Sequence, residues 1–261
     1  MTRVYAFVNQ KGGVGKTTTV VNLSAYLAQS GMRVLVVDLD PQSNATSGLG
    51  FNKQTVQLST YELLLEQATA EQTIVHNPEA NVYLMPSKPA LAGAEVELVS
   101  LLAREYRLQR GLETLPDSFD YVLIDSPPSL GLLTVNALTA ARHGVVIPVQ
   151  CEYLALEGLS QLTQTIQLVR QHLNRQLRVR GVVMTMYDGR TNLSRQVVEE
   201  VRRVFPGQVF RAIIPRNVRL SEAPSYGQPI SLYAPDSSGA LGYKVLAAEL
   251  LQGDMMKEKR R

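Results

Sequence analysis

The chain has 261 residues, 45% of them hydrophobic and 19% charged, with a formal net charge of +3 and a pI near 9.0. That balance excludes disordered and fibrous classes, allows one sizeable core, and gives only a weak hint of a polyanionic partner. No apolar run reaches the roughly 18 residues of a membrane span, no charged lead and cleavable apolar segment precedes the first strand, and the lone Cys151 excludes an internal disulfide or a cysteine cluster within one chain. The expectation is a cytoplasmic globular protein.

In chain order, residues 4–8 (VYAFV) read as a buried strand that breaks into Gly12, Gly13 and Gly15. Glycines let the backbone bend tightly and turn successive N–H groups toward one anion. Lys16 adds a positive charge, and Thr17 offers the hydroxyl that ligates Mg²⁺ in such loops. Residues 17–29 read as a helix whose N-terminus faces the phosphates. The spacing departs from GxxxxGK[ST], because position 10 is Gln10 rather than glycine, and Lys11 adds a second lysine at the loop's mouth. Taken alone, Lys11 is an ordinary solvated side chain.

Residues 33–38 (RVLVVD) form a second apolar strand ending in carboxylates, with Asp38 and Asp40 followed by PQSNATSGLG. A short helix is expected over 61–67, a short strand over 82–86, and one helical stretch over 92–115. YVLID at 121–125 is another apolar strand ending in Asp125, stiffened behind by Pro127 and Pro128. Beyond it come helix 130–142, strand 144–149, amphipathic helix 156–174, strand 180–186, helix 192–205, strand 209–214, a Pro- and Arg-containing loop, and a final helix 238–251. Strands alternating with crossover helices predict an α/β fold, a doubly wound, mainly parallel sheet flanked by helices, with the ligand site beyond the strands' carboxyl ends. A single domain is expected over 1–252, with 253–261 as a short, basic, disordered tail. His76, His143 and His172 lack ligand spacing, and no serine sits in a GxSxG elbow.

An Asp at a strand end behind a phosphate loop is the Walker B arrangement, so Asp125 and Thr17 are the metal candidates. A second nearby carboxylate, Asp40, can orient the attacking water as well as face the metal. Asp38 reads equally as an outer-sphere metal group or as a strand-end carboxylate satisfied by backbone amides.

The string KGGVGKTT resembles the deviant Walker A loop of the ParA/MinD group of P-loop ATPases, and the match in motif order extends over essentially the whole chain. It implies ATP and Mg²⁺ as ligands, with Lys11, Gly12, Gly13, Val14, Gly15, Lys16, Thr17 and Thr18 around the nucleotide. It further implies Lys11 as a lysine that reaches the partner subunit's nucleotide, Lys16 as the lysine of its own subunit, and Asp40 as the catalytic carboxylate of the segment DLDPQSNAT. The stretches 184–194 and 214–230 also match that family, a likeness that implies the second as the adenine side of the pocket. By that likeness Pro215 and Asn217 contact adenine, an edge that Asn can pair as donor and acceptor. Arg190 and Arg219 belong to a DNA-phosphate surface, with Arg211 and Arg216 as weaker members. The resemblance is to the ParA/Soj type of chromosome- or plasmid-partition ATPase. It implies an ATP-dependent homodimer, nonspecific binding to double-stranded DNA of the nucleoid, and a ParB-type centromere-binding partner that stimulates hydrolysis.

Three rival classes are distinguishable. A MinD-like membrane-cycling ATPase needs an amphipathic C-terminal helix, which Gly253 and Asp254 are expected to break. An electron carrier of the nitrogenase-reductase type needs cysteines for a shared cluster. A non-enzymatic DNA-binding module would show no ATP turnover.

Overall fold

A computed structural model describes residues 2–115, 118–152 and 157–258. Its strands are β1 (Arg3–Phe7), β2 (Val34–Asp38), β3 (Val75–Asn77), β4 (Val82–Met85), β5 (Tyr121–Asp125), β6 (Gly144–Gln150), β7 (Val179–Tyr187) and β8 (Val209–Pro215). Its helices are α1 (Lys16–Gln29), α2 (Asn44–Gly48), α3 (Thr60–Leu64), α4 (Ala70–Thr73), α5 (Leu91–Glu97), α6 (Arg107–Glu113), α7 (Leu132–Ala140), α8 (Glu157–His172), α9 (Asn192–Val204), α10 (Val218–Glu222), α11 (Ile230–Tyr233) and α12 (Ser238–Glu258).

The strands form one sheet in the order β3-β4-β2-β5-β1-β6-β7-β8. All pairings are parallel except β3 with β4. Because side chains alternate along a strand, Val4 and Ala6 enter one core and Tyr5 and Phe7 the other. On the first face Leu91, Leu108, Leu133, Leu162 and Val197 close over the sheet; on the second, Leu23, Leu27, Tyr243 and Leu246 do so. Covering both faces explains why β2 and β5 read as continuous apolar runs rather than alternating ones. Each such fully buried aliphatic side chain contributes about 1.5–3 kcal/mol.

The register places the chemistry. Phe7 pairs with Asp125 and Asp38 pairs with Asp125, so β5 lies between the strand that feeds the glycine loop and the strand that feeds Asp40. All three chain segments therefore emerge side by side at the carboxyl edge.

Two expectations are corrected. The single helix over 92–115 is two short helices, α5 and α6, separated by 3₁₀ turns and by Ala103 at φ 51°. Its apparent helical stripe is not all core, since Val96, Val99 and Leu102 are exposed. The last helix does not end at Leu251, and Gly253 and Asp254 do not break it; α12 continues to Glu258. Asp254 is buried and accepts from the Tyr5 hydroxyl (2.9 Å), the Tyr121 hydroxyl (3.1 Å) and Arg180 Nε (3.0 Å). Those bonds to β1, β5 and β7 offset the helix penalty of Gly253. At Gly253 a Cβ would stand 2.6 Å from Arg180 Nη2, which donates to the Leu250 carbonyl (3.1 Å), so a side chain there would displace the end of the guanidinium. The expected disordered tail is thus helical through Glu258, and its last three residues lie outside the described ones. No helix among the described residues is long and apolar enough to cross a membrane.

Candidate active site

Between β1 and α1 the chain turns through the glycine loop. Gly13 (φ +74°) and Gly15 (φ +87°) adopt left-handed conformations that side chains disfavour. The loop's start is fixed by Asn9, whose side chain donates to the Pro148 carbonyl (2.8 Å) and accepts from the Lys11 N–H (3.0 Å). Its far side is fixed by the Thr185 hydroxyl, which donates to the Val14 carbonyl (2.8 Å). Glycine loop, α1 and the segment after β2 enclose a cavity of about 490 Å³ lined by Gly12, Gly13, Gly15, Lys16, Thr17, Thr18 and Asp40.

Lys16 is buried and donates to the Lys11 carbonyl (3.3 Å), which holds its ammonium over the loop. Burial pulls its pKa below the usual lysine value, while the charges of Asp125 and Asp40 oppose the shift. Among the described residues no ion pair or side-chain hydrogen bond occupies the Lys11 ammonium, and Lys11 is not among the residues that line the cavity.

The carboxylates differ sharply. Asp38 is fully buried, and its oxygens accept from the Asp40 N–H (3.1 Å), the Thr46 N–H (2.8 Å) and the Thr46 hydroxyl (2.7 Å). Burial pushes its pKa up to about 6, against the pull of those bonds. Asp38 is thereby the backbone-satisfied carboxylate, with its lone pairs directed at α2 and Asp40. Asp40 lines the cavity, and its side chain accepts from the Gln42 N–H (2.9 Å). Asp125 is fully buried, yet neither of its oxygens has a hydrogen-bond partner of good geometry among the described residues. Burial and the Asp38 charge raise its pKa well above the ordinary carboxylate value, while the Thr17 hydroxyl and Lys16 favour its charged form.

A buried carboxylate without partners calls for a cation. Asp40 and Thr17 line the cavity and Asp125 is buried behind them within the influence of the Thr17 hydroxyl, hard oxygen donors that suit Mg²⁺ rather than a soft metal. These residues fit the group that the fold implies.

The opposite cavity wall is built by Ala223, Pro224, Ser225 and Gln228, with Met186 and Asn22 beside them. Met186 is held at φ 52°, a conformation rare for a non-glycine residue and concentrated at ligand sites. Asn22 ties α1 to this wall by accepting from the Ile230 N–H (2.6 Å). The expected base contacts Pro215 and Asn217 are not among the lining residues. Asn217 caps α10 by accepting from the Arg219 N–H (2.8 Å) and donates to Ser238 Oγ (2.8 Å), so both ends of its amide are engaged.

Comparison with known proteins agrees with this geometry. Residues 2–179 match the family described as AAA domain. The sporulation initiation inhibitor protein Soj of Bacillus subtilis is 56% identical over 96% of this chain and 98% of its own. The chain belongs to the ParA/Soj family of P-loop ATPases. Chromosome partitioning protein ParA of Myxococcus xanthus is 52% identical over 99% of this chain and 91% of its own. Among solved structures, a Mycobacterium smegmatis protein described as cobyrinic acid a,c-diamide synthase, with bound ADP and magnesium, superposes with TM-score 0.85 at 41% identity, covering 97% of this chain and 95% of that one.

Seen as a ParA/Soj-family site, the stretch 214–230 does reach the cavity, but through Ala223, Pro224, Ser225 and Gln228 rather than through Pro215 and Asn217. Its signal was present in SEAPSYGQPI, but which residue of a loop faces a cavity depends on distant packing. Arg190 and Arg219 are exposed and already ion-paired, Arg190 with Asp188 (2.7 Å) and Arg219 with Glu222 (2.9 Å). Arg216 likewise pairs with Glu152 (3.0 Å).

Proposed function

We propose that this ATPase partitions DNA: Mg-ATP closes two copies face to face, the pair binds duplex DNA without sequence preference, and hydrolysis releases it. The observation that carries the nucleotide part is the pairing of a glycine cradle with the orphaned Asp125 carboxylate across β1 and β5. Loop N–H groups and Lys16 hold the phosphates, and Thr17, Asp125 and Asp40 are the residues that would hold Mg²⁺. The metal ion, when bound, neutralises charge that accumulates on the transferred phosphoryl group. Phosphoryl transfer then asks the protein mainly for positioning, and Asp40 is placed on the cavity wall to orient the attacking water.

The face-to-face step is supported by Lys11, whose ammonium has no partner among the described residues of its own chain, and by Gly12, which is exposed at the loop's crest. DNA binding becomes nucleotide-dependent because two weak basic patches act together only when paired. Arg190 and Arg219 provide fork-shaped phosphate donors for that surface. A ParB-type centromere-binding protein is the partner that hastens hydrolysis, and the nucleoid is the place of action. The relatives named for chromosome partitioning support this cargo class. Retention on immobilised duplex DNA with ATP, ADP and a nonhydrolysable ATP analogue tests the reading. Retention is expected with ATP and the analogue only; equal retention in all three, or in none, would contradict it.

A further inference from the structure

The two walls of the cavity touch at a pair of glycines. Gly50, just past α2, and Gly227, in the wall 223–228, have φ of +82° and +64°. A Cβ on Gly227 would lie 2.7 Å from Gly50 Cα, and one on Gly50 would lie 3.1 Å from the Gly227 carbonyl oxygen. Backbone therefore rests directly on backbone, with no side chain to absorb a shift. Gly50 N–H donates to the Ser47 carbonyl (3.0 Å) and Phe51 N–H to the Thr46 carbonyl (3.1 Å), and from Thr46 a set of buried bonds runs to the Asp40 backbone. Thr46 of α2 donates twice to Asp38, Asp38 accepts from the Asp40 N–H, Ser87 N–H donates to Thr46 Oγ1 (2.9 Å), and Ser87 Oγ donates to the Asp40 carbonyl (2.8 Å). Ser43, between Asp40 and α2, is held at φ 57°, a joint that persists only because its surroundings fix it.

We propose that this chain of contacts lets a base seated against residues 223–228 set the position of the Asp40 carboxylate, so that the protein distinguishes a base-bearing triphosphate from bare inorganic triphosphate at hydrolysis more than at binding. Thr46, Asp38 and Ser87 are positioning residues in this scheme, and none of them is a catalytic residue. The proposal rests on the ATPase reading above, with Asp40 directing the water.

Steady-state hydrolysis of Mg-ATP and of magnesium triphosphate by the full chain tests it. Wild type should turn over ATP at least tenfold faster than triphosphate. Thr46→Val removes the hydroxyl that serves both Asp38 and Ser87; it should lower kcat for ATP at least tenfold toward the triphosphate rate, with KM for ATP within about threefold. Thr46→Ser should restore the ATP rate. If Thr46→Val does not fold, Gly227→Ala reads the same link from its other end and should narrow the ATP-to-triphosphate ratio. Equal turnover of both substrates by wild type would overturn the proposal, as would a parallel fall for both in the variant. No ATP turnover by wild type at all would instead overturn the ATPase reading.

Discussion

Asp38 and Asp125 are register partners across β2 and β5, yet Asp38 is saturated by Thr46 and the Asp40 N–H while Asp125 has no good partner for either oxygen among the described residues. One carboxylate is built into the hydrogen bonding of the fold and the other is not.

Burial raises the pKa of both, so neutralisation should differ only in the hydrogen bonds it costs, several at Asp38 and none of good geometry at Asp125. Because burial raises the Asp125 pKa above its unfolded value, the nucleotide-free fold binds more protons there, and stability falls as pH rises past the unfolded carboxylate value. Asp125→Asn should stabilise the nucleotide-free protein by about 1–3 kcal/mol, more at pH 8 than at pH 5, while ATP turnover is lost. Asp38→Asn removes an acceptor from a filled network, which offsets the relief of removing a buried charge, so it should stabilise less than Asp125→Asn or not at all. Thermal melts of both variants at the two pH values check this; a lower melting temperature for Asp125→Asn would refute it.

Asp40→Ala should bind ATP and pair normally yet lose turnover by about 10²-fold or more, the scale of a positioned general base. It should accumulate on DNA in ATP. Wild-type turnover in this variant would remove Asp40 from the mechanism.

Within one chain a Cβ on Gly12 would meet only Pro128 Cβ, at 3.9 Å. Gly12→Val should accordingly fold and bind ATP, and its defect should appear only where a second copy approaches. Light scattering is expected to show a monomer in saturating Mg-ATP; an ATP-dependent dimer would contradict the role given to this position.

Arg190 is bidentate to Asp188, whose pKa is held down to about 2 by that ion pair, so DNA phosphates must compete for the guanidinium. Replacing Arg190 and Arg219 by Ala should spare DNA-free ATPase activity and flatten the salt dependence of DNA binding, by about 0.9 in slope for each phosphate no longer neutralised. Asp188→Asn should tighten DNA binding by freeing Arg190. Unchanged affinity in all of these would place the DNA surface elsewhere.

Cys151 is buried, and burial pushes its thiol up to about 12. A thiol held protonated in this way is a poor nucleophile near neutral pH. Native protein at pH 8 should resist a thiol reagent until unfolded; rapid labelling would contradict that burial.

The positions of the glycine loop and of Asp125 were legible in the sequence because each stands at the end of an apolar strand, β1 or β5. Which residues of 214–230 face the cavity was not, since the packing of Gly227 on Gly50, far away in the chain, helps to set it. The continuation of α12 was hidden for a related reason: Gly253–Asp254 looks like a helix break until Tyr5, Tyr121 and Arg180 are found around the carboxylate. In the same way, the helical spacing over 92–115 gave no sign that Ala103 turns the chain.

Sedimentation of the purified chain with a short labelled duplex, without nucleotide and then in saturating Mg-ATP, tests the central claim most directly. The account predicts a free monomer in the first case and a dimer moving with the duplex in the second. A monomer under both conditions, or DNA carried equally well without nucleotide, would contradict it.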